Sequence, residues 1–371
     1  MPPRPHRRSV AVVGTGGIVS SSHLPALRAH ADRVELVAAV DVDPGRLDAF
    51  RELAGGEVAG YGSMDDMLDA VRPDLVVVGT PPSLHREQTT AALKAGAWVL
   101  CEKPLCLSLA EYDEIAAAEE SSGAYASVVF QHRYGSGAVH ARELITGGEL
   151  GTPLVAHCQT TWHRDAAYYA VPWRGRWASE GGGPTMGHGI HQYDLLLHLL
   201  GPWAEVRAMA ARLVHDTESE DVSTALVRFR NGALATVVNS VLSPDEVSRI
   251  RVDCADGTIE LTHLYGHRND DWVYTPAPHV APERAEAWRT PAADVPSSHT
   301  AQLGALLDAQ DRGVRPPGSG PDARATLEFA AALYKAAFTA LPVLAGEIAP
   351  GDPFYQAMHG DHPHWAPKER A

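Results

Sequence analysis

Four groups of residues in this chain have the types and spacing to do chemistry. The first is Gly14-Thr15-Gly16-Gly17-Ile18-Val19, directly after the apolar run Val10–Val13 and at the start of a helix-like stretch, Ile18–Arg28. Glycines at such a junction let the backbone turn tightly and approach a pyrophosphate seated on a helix N-terminus. The acid expected at the end of the following strand is Asp41, after Val34–Val40. Its carboxylate can accept two hydrogen bonds from an adenosine ribose and repels a 2′-phosphate, which points to NAD. Arg46 lies close enough in sequence to hold that phosphate, so NADP is the alternative. The third fingerprint position is Val19, where glycine or alanine is usual. A glycine-rich turn in another kind of α/β protein would leave Asp41 as an ordinary loop residue.

The second group is Cys101-Glu102-Lys103-Pro104, at the end of the apolar run Trp98–Cys101. Ligands of open α/β sheets bind at that edge of a parallel strand. An amine there, partly desolvated beside a nicotinamide cation, has a lowered pKa and suits proton exchange with an alcohol. Otherwise Lys103 is a solvated residue before a proline turn. The third group runs from Gly181 to Asp194, a glycine-rich entry into a helix carrying His188, His191 and Asp194. Residues three apart share a helical face. His191 can exchange a proton with a hydroxyl, while Asp194 holds either the imidazole or a sugar hydroxyl. The alternatives are a hydrogen-bonded seam between domains and a metal site. The spacing is not HExxH, and no metal is expected. The fourth group is Tyr168-Tyr169 with Trp173-Arg174-Gly175-Arg176-Trp177. Aromatic faces and guanidinium groups on a loop suit a sugar ring, although loop aromatics pack into cores at least as often.

The elements that must position these groups follow from apolar patterning. Val10–Val13, Val34–Val40, Leu75–Val78, Trp98–Cys101 and Ser127–Phe130 read as strands with continuous burial. Helices separate them at Ile18–Arg28, Pro44–Leu53, His85–Ala95 and Leu109–Glu120, with Asp43 as a cap before Pro44. That alternation predicts a parallel sheet covered on both faces. Beyond Gln131 the pattern changes to Leu154–Thr161, Glu205–Leu213, Ser223–Phe229, Ala233–Val241, Arg249–Cys254 and Thr258–Thr262, all strands. Asn231-Gly232 and Asp256-Gly257 sit between pairs of them, which predicts antiparallel hairpins. One helix, Met186–Leu200, is embedded in this part, and Thr300–Gln310 and Ala323–Ala340 close the chain. Pro276–Pro296 reads as an irregular excursion and Gly351–Ala371 as a loop-like tail.

Length and composition bound the rest. The 371 residues predict two or three domains. Apolar residues are 45% and charged residues 21%, an ordinary globular balance. The formal charge of −15 argues against a nucleic-acid partner, which needs a basic face. No apolar run approaches the roughly 18 residues that span a bilayer, so no membrane association is expected. Arg4, Arg7 and Arg8 are not followed by an export signal's apolar stretch. Four cysteines without a CxxC pair suggest a reduced cytoplasm.

Taken together, Gly14-Thr-Gly-Gly-Ile, Asp41, Gly79-Thr80-Pro81-Pro82 with His85, Glu102-Lys103-Pro104, the Gly181–Asp194 segment and the late helix around Asp322–Ala340 resemble the Gfo/Idh/MocA oxidoreductase family. The resemblance implies an α/β fold. It has an N-terminal Rossmann domain with a doubly wound parallel sheet, residues 1–130, and a C-terminal α/β domain on a large open, mostly antiparallel sheet, residues 131–371. The closing helices are expected to pack back on the first domain. It implies assembly through the open sheet, as a homodimer or homotetramer. It implies NAD(P)-dependent hydride transfer at a secondary hydroxyl or ketone of a sugar, cyclitol or glycoside. The implied cofactor-binding residues are Gly14, Gly16, Gly17, Ile18, Asp41, Thr80, Pro81, His85, Glu102, Lys103 and Gln131. Lys103 and His191 are the implied catalytic pair. Tyr169, Trp173, Arg174, His188 and Asp194 are the expected substrate contacts. Many members carry a catalytic aspartate four residues before the histidine, a position that here is Gly187. That departure leaves two rivals. One is a cofactor sensor without chemistry. The other is a same-fold enzyme that recycles its cofactor in epimerisation or redox-assisted glycoside cleavage.

Overall fold

The computed structural model describes residues 7–289, 291 and 293–362; Arg4 and the tail beyond His362 lie outside the described residues. The chain divides into two compact units. The first comprises Met1–Cys106, Ala110–Val129 and His299–Arg324; the second comprises Leu107–Leu109, Phe130–Ser298 and Ala325–Ala371.

The first unit holds a six-stranded, wholly parallel sheet. Its strands are β1 (Arg8–Val13), β2 (Val34–Val40), β3 (Ala59–Tyr61), β4 (Leu75–Val78), β5 (Trp98–Cys101) and β6 (Ala126–Val128), in the order β3-β2-β1-β4-β5-β6. The apolar runs predicted these strands because both faces of each are covered; all four residues of β4 are buried. One strand was not expected. β3 is only three residues long and mostly exposed, so it has no apolar pattern to read. Asp43 caps the helix Pro44–Ala54 by accepting from the backbone N–H of Gly45 and Arg46. The helix His299–Arg312 inserts Leu303, Leu306 and Leu307 into the same core as Val10, Val12, Leu27, Phe50 and Leu75. Three leucines buried at that spacing contribute roughly 1.5–3 kcal/mol each. This return of a distant segment gives the first unit more chain than residues 1–130.

The departure at Val19 has a structural counterpart. Val19 is fully buried, and a Cβ at Gly79 would fall 2.3 Å from its Cγ2. The close approach of helix to strand that a fingerprint glycine or alanine usually permits is supplied from the strand side. Gly79→Ala should therefore destabilise the protein by about 1–3 kcal/mol through overpacking. Val19→Ala in the same chain should restore part of the loss. Urea unfolding of the two single variants and the double variant measures the coupling, and strictly additive losses would contradict it.

The second unit is built on an eight-stranded sheet of order β13-β12-β11-β7-β10-β9-β8-β14. The strands are β7 (Pro153–His163), β8 (Trp203–Ala211), β9 (Val222–Phe229), β10 (Leu234–Ser240), β11 (Leu242–Cys254), β12 (Gly257–Thr262), β13 (Trp272–Pro276) and β14 (Val343–Leu344). All neighbours are antiparallel except β7 and β10. Gly232, at φ +93°, makes the β9–β10 hairpin that Asn231-Gly232 predicted. Along β9, Ser223, Ala225, Val227 and Phe229 are buried while Thr224, Leu226 and Arg228 are exposed. Such alternation marks a sheet with one covered face. The helix Ile190–Leu200 is buried at every residue but His198, so it serves as a core helix of this unit. Elements not anticipated include β13 and the helices Met64–Val71, Ser136–Thr146 and Pro282–Ala287. Among the described residues no helix is long and apolar enough to cross a membrane.

Candidate functional site

In the first unit the glycine turn has the geometry its sequence implied. Gly14 adopts φ +84° and donates its N–H to Val40 O at 2.8 Å. A Cβ there would fall 2.8 Å from the Thr80 methyl group and 3.0 Å from the Gly79 carbonyl. Only glycine combines this left-handed φ with so close a contact. At Gly16 and Gly17, by contrast, an added Cβ would meet nothing within 4 Å. The backbone is therefore open to close approach where helical backbone begins, at Gly17 and Ile18. Such a cradle fits the pyrophosphate of a dinucleotide.

Asp41 follows β2. One carboxylate oxygen accepts from the Thr15 N–H and hydroxyl, both at 2.9 Å, and the other from the Asp43 N–H at 2.9 Å and Arg46 Nη2 at 3.2 Å. Burial alone would raise its pKa, but these donors outweigh it and hold the carboxyl below its usual range. Asp41 is an ionised acceptor fixed beside the glycine turn. Its Arg46 partner is 57% exposed, so it is free to swing when a ribose competes.

Lys103 stands half-buried two residues beyond β5. Its neighbour Glu102 is buried and anchored by histidines from distant parts of the chain. His23 Nε2 and His299 Nε2 both donate to Glu102 Oε1, at 2.9 and 3.0 Å, and the Lys103 N–H faces Oε2 at 3.3 Å. Burial would raise the Glu102 pKa, yet the two imidazoles hold it well below the carboxylate range. Burial also keeps His23 neutral. The three side chains are of metal-ligand type and their ligand atoms lie within 4.8 Å of one another. The hydrogen bonds among them already account for that closeness.

Two implied cofactor contacts turn inward. Thr80 Oγ1 donates to Gln88 Oε1 at 2.6 Å, and His85 is 1% exposed with both ring nitrogens on backbone carbonyls. Pro81 and Ile18 stay partly exposed beside the turn. Gln131 belongs to the second unit, where it is fully buried and hydrogen-bonded to Tyr265.

The second unit sorts its predicted residues into two groups. The helix begins with a wide π turn, Thr185–Gly189, so His188 departs from the regular three-residue spacing that continues through His191 and Asp194. His191 is buried with its ring 5.2 Å from His132 and 5.7 Å from Tyr265; His132 in turn lies 4.3 Å from His267. Burial pushes His267 down to about 4, so this imidazole is neutral. His188 meets different partners, Tyr168 Oη at 3.3 Å and the Trp162 ring at 5.2 Å. Arg174 hydrogen-bonds to Tyr168 and lies over the rings of Tyr168 and Trp173, at 3.9 and 4.4 Å. Tyr169 packs on Tyr168 and His215 instead. Trp162, His132, Tyr265 and His267 were not singled out from sequence as site residues. No periodicity marks them, and only the crowding of histidine and tyrosine in His263–His267 hints at them.

Asp194 was expected to touch substrate. Its carboxylate is fully buried and takes a bidentate pair from Arg133, at 2.7 and 2.5 Å, plus the Thr326 hydroxyl at 2.8 Å. This geometry makes it an anchor of the helix. At Gly187 an added Cβ would meet nothing within 4 Å, so the position has room for the aspartate that the family resemblance leads one to expect.

The glycine run upstream packs against Glu220. Its two oxygens accept from the Gly183 and Thr185 N–H groups and from the Tyr334 hydroxyl, and a Cβ at Gly183 would collide with the Glu220 carbonyl. Burial dominates and raises the Glu220 pKa to about 7. Because the folded pKa lies above the unfolded one, this group's stabilising contribution is complete at low pH. It declines from about pH 4.5 to about 7, by about 3 kcal/mol. Comparing unfolding free energies of wild type and Glu220→Gln between about pH 5 and 8 isolates that decline. A difference independent of pH would refute it.

Comparison with known proteins agrees with these features. Residues 8–130 match the family model described as "Oxidoreductase family, NAD-binding Rossmann fold", and residues 138–260 match that of the GFO/IDH/MocA C-terminal domain. The chain is 40% identical over 199 residues to a protein named as a UDP-kanosamine synthase oxidoreductase subunit in Amycolatopsis mediterranei, a stretch covering 52% of each chain. It therefore spans about half the length of that relative. It is 29% identical over 286 residues to the D-glucoside 3-dehydrogenase of Escherichia coli, covering 71% of this chain and 80% of that one. The crystal structure of the WlbA dehydrogenase from Bordetella pertussis, in complex with NADH and UDP-GlcNAcA, superposes with a TM-score of 0.81 at 25% identity, covering 91% of this chain and 99% of that chain. With both halves of one family matched in order over about two thirds of its length, the chain belongs to the Gfo/Idh/MocA oxidoreductase family.

Proposed function

We propose that the chain is an NAD-dependent dehydrogenase acting on a secondary hydroxyl of a sugar, cyclitol or glycoside. NAD supplies the hydride acceptor for the substrate carbon. The observation that carries the reading is an amine, Lys103, at the carboxyl edge of a Rossmann sheet whose glycine turn and ionised Asp41 suit a dinucleotide. Lys103 takes the hydroxyl proton as the carbon is oxidised and returns it in the reverse direction. His191 is the second proton-handling group, and Arg174 with Tyr168 and Trp173 offers a stacking and hydrogen-bonding surface for a ring. The acidic balance of the chain favours a neutral polyol, and the sugar-acting relatives support the substrate class. Ionised Asp41 favours NAD over NADP.

A homo-oligomer is part of the same proposal. The outward face of the second sheet exposes Val155, Leu226 and Leu234 in cross-strand neighbourhood, bordered by Glu205, Arg207 and Arg228. Apolar surface of this kind marks an interface. The four cysteines are buried and not joined in disulfides, which fits a reducing cytoplasm.

The test is NAD reduction on a panel of D-glucose, methyl glucosides, myo-inositol and UDP-glucose. The expected result is NADH formation on at least one of them. Tight NADH binding with no turnover on any would favour a sensor. Product without net NADH would favour a cofactor-recycling enzyme.

A further inference from the structure

We propose that His85 is a buried imidazolium that clamps the two loops flanking Lys103, and is thereby a positioning residue for the amine; the positioning role rests on the function proposed above. His85 Nδ1 lies 2.6 Å from Pro104 O, and Nε2 lies 2.8 Å from Thr80 O. A peptide carbonyl oxygen only accepts. A neutral imidazole has a single N–H, so one of these contacts would set a nitrogen lone pair against a carbonyl lone pair at less than 3 Å. Only the doubly protonated ring satisfies both.

The surroundings of the ring pull in both directions. Glu102 is an ionised, buried carboxylate whose hydrogen-bond partner His23 is neutral. A buried anion needs a compensating charge nearby. Burial is the largest influence on His85 and lowers its pKa, and the Lys103 amine acts in the same sense; the two carbonyls and the Glu102 anion favour the charged ring. The geometry decides between them, because the neutral ring has no arrangement that serves both oxygens.

The clamp has a direct consequence for Lys103. Thr80 lies just beyond β4 and Pro104 just beyond β5, and these strands are parallel neighbours. Glu102 holds the Lys103 backbone from one side, and His85 fixes the carbonyl of the next residue on the other. The peptide that carries the amine is thus held at one end by Glu102 and at the other by His85 rather than left as an open loop. Misplacement of about 1 Å is enough to cost a large factor in rate.

Two variants separate the contacts. In His85→Asn the amide N–H stands near the Nδ1 position, and in His85→Gln near Nε2, so each keeps one contact and loses the other. On the panel substrate that wild type oxidises, both should lower kcat by about 10-fold or more while NADH affinity stays within about 3-fold. Unchanged kcat in either variant would overturn the clamp. Independently of turnover, nitrogen NMR of the histidine-labelled full chain should show both ring nitrogens of His85 protonated near pH 7, the signals being assigned by their loss in His85→Gln. An unprotonated ring nitrogen would overturn the imidazolium. Failure of every panel substrate would instead count against the dehydrogenase reading and leave the NMR result to decide the charge.

Discussion

Lys103→Ala should lower the rate of NADH formation by about 10²- to 10⁴-fold, with NADH still bound. That is the range lost when a positioned general base is removed. The argument is local. Lys103 follows β5, its backbone is fixed through Glu102, and the residue is half-buried at the sheet edge where open α/β folds place ligands. Lys103→Arg sharpens the test. A guanidinium keeps the charge but does not deprotonate at accessible pH. If the amine acts as base, the arginine variant should be about as slow as alanine; if it acts only as a charge, arginine should rescue. Single-turnover NADH formation measures the rate, and NADH fluorescence measures binding. A rate for Lys103→Ala within a few-fold of wild type would remove Lys103 from the mechanism.

Asp194→Ala should destabilise the fold by about 3–5 kcal/mol, because it breaks a buried bidentate ion pair by removing one member. The side chains are 0% and 5% exposed, and the pair is bidentate. The Phe130 ring, 5.4 Å from the guanidinium, does not replace the missing charge. Replacing both members by apolar residues, as in Arg133→Met with Asp194→Leu, should recover much of the loss, since a buried pair is worth little over well-packed apolar groups. Denaturant unfolding reads both effects. The opposing expectation, that Asp194 serves chiefly to hold a sugar hydroxyl, predicts a raised KM with stability nearly unchanged; a stability loss below about 1 kcal/mol would favour it.

The contrast between these two residues shows how far the sequence could be read. The place of Lys103 just beyond β5 was legible because an apolar run precedes it and a proline follows. The ion pair of Asp194 was not legible because its partner, Arg133, lies 61 residues away, and helical spacing says which face a residue occupies, not what meets it. The same limit applies to Glu102. Its identity was visible, yet its partners His23 and His299 are 79 and 197 residues distant. Val19 looked like a defect in the glycine turn until Gly79 was found opposite it. β3 escaped notice because three exposed residues carry no periodicity.

Local patterning therefore determined the strands β1, β2, β4 and β5, the hairpin at Asn231-Gly232, the left-handed turn at Gly14 and the acid at Asp41. Each depends on neighbours within a few residues, where burial and backbone sterics leave their mark directly on residue type. The tertiary structure decided that Leu303, Leu306 and Leu307 complete the first core, that Asp194 is an anchor, and that His85 grips two carbonyls. Those outcomes depend on side chains brought together across long stretches of chain, and the periodicity of a segment records how much of it is buried but not against what.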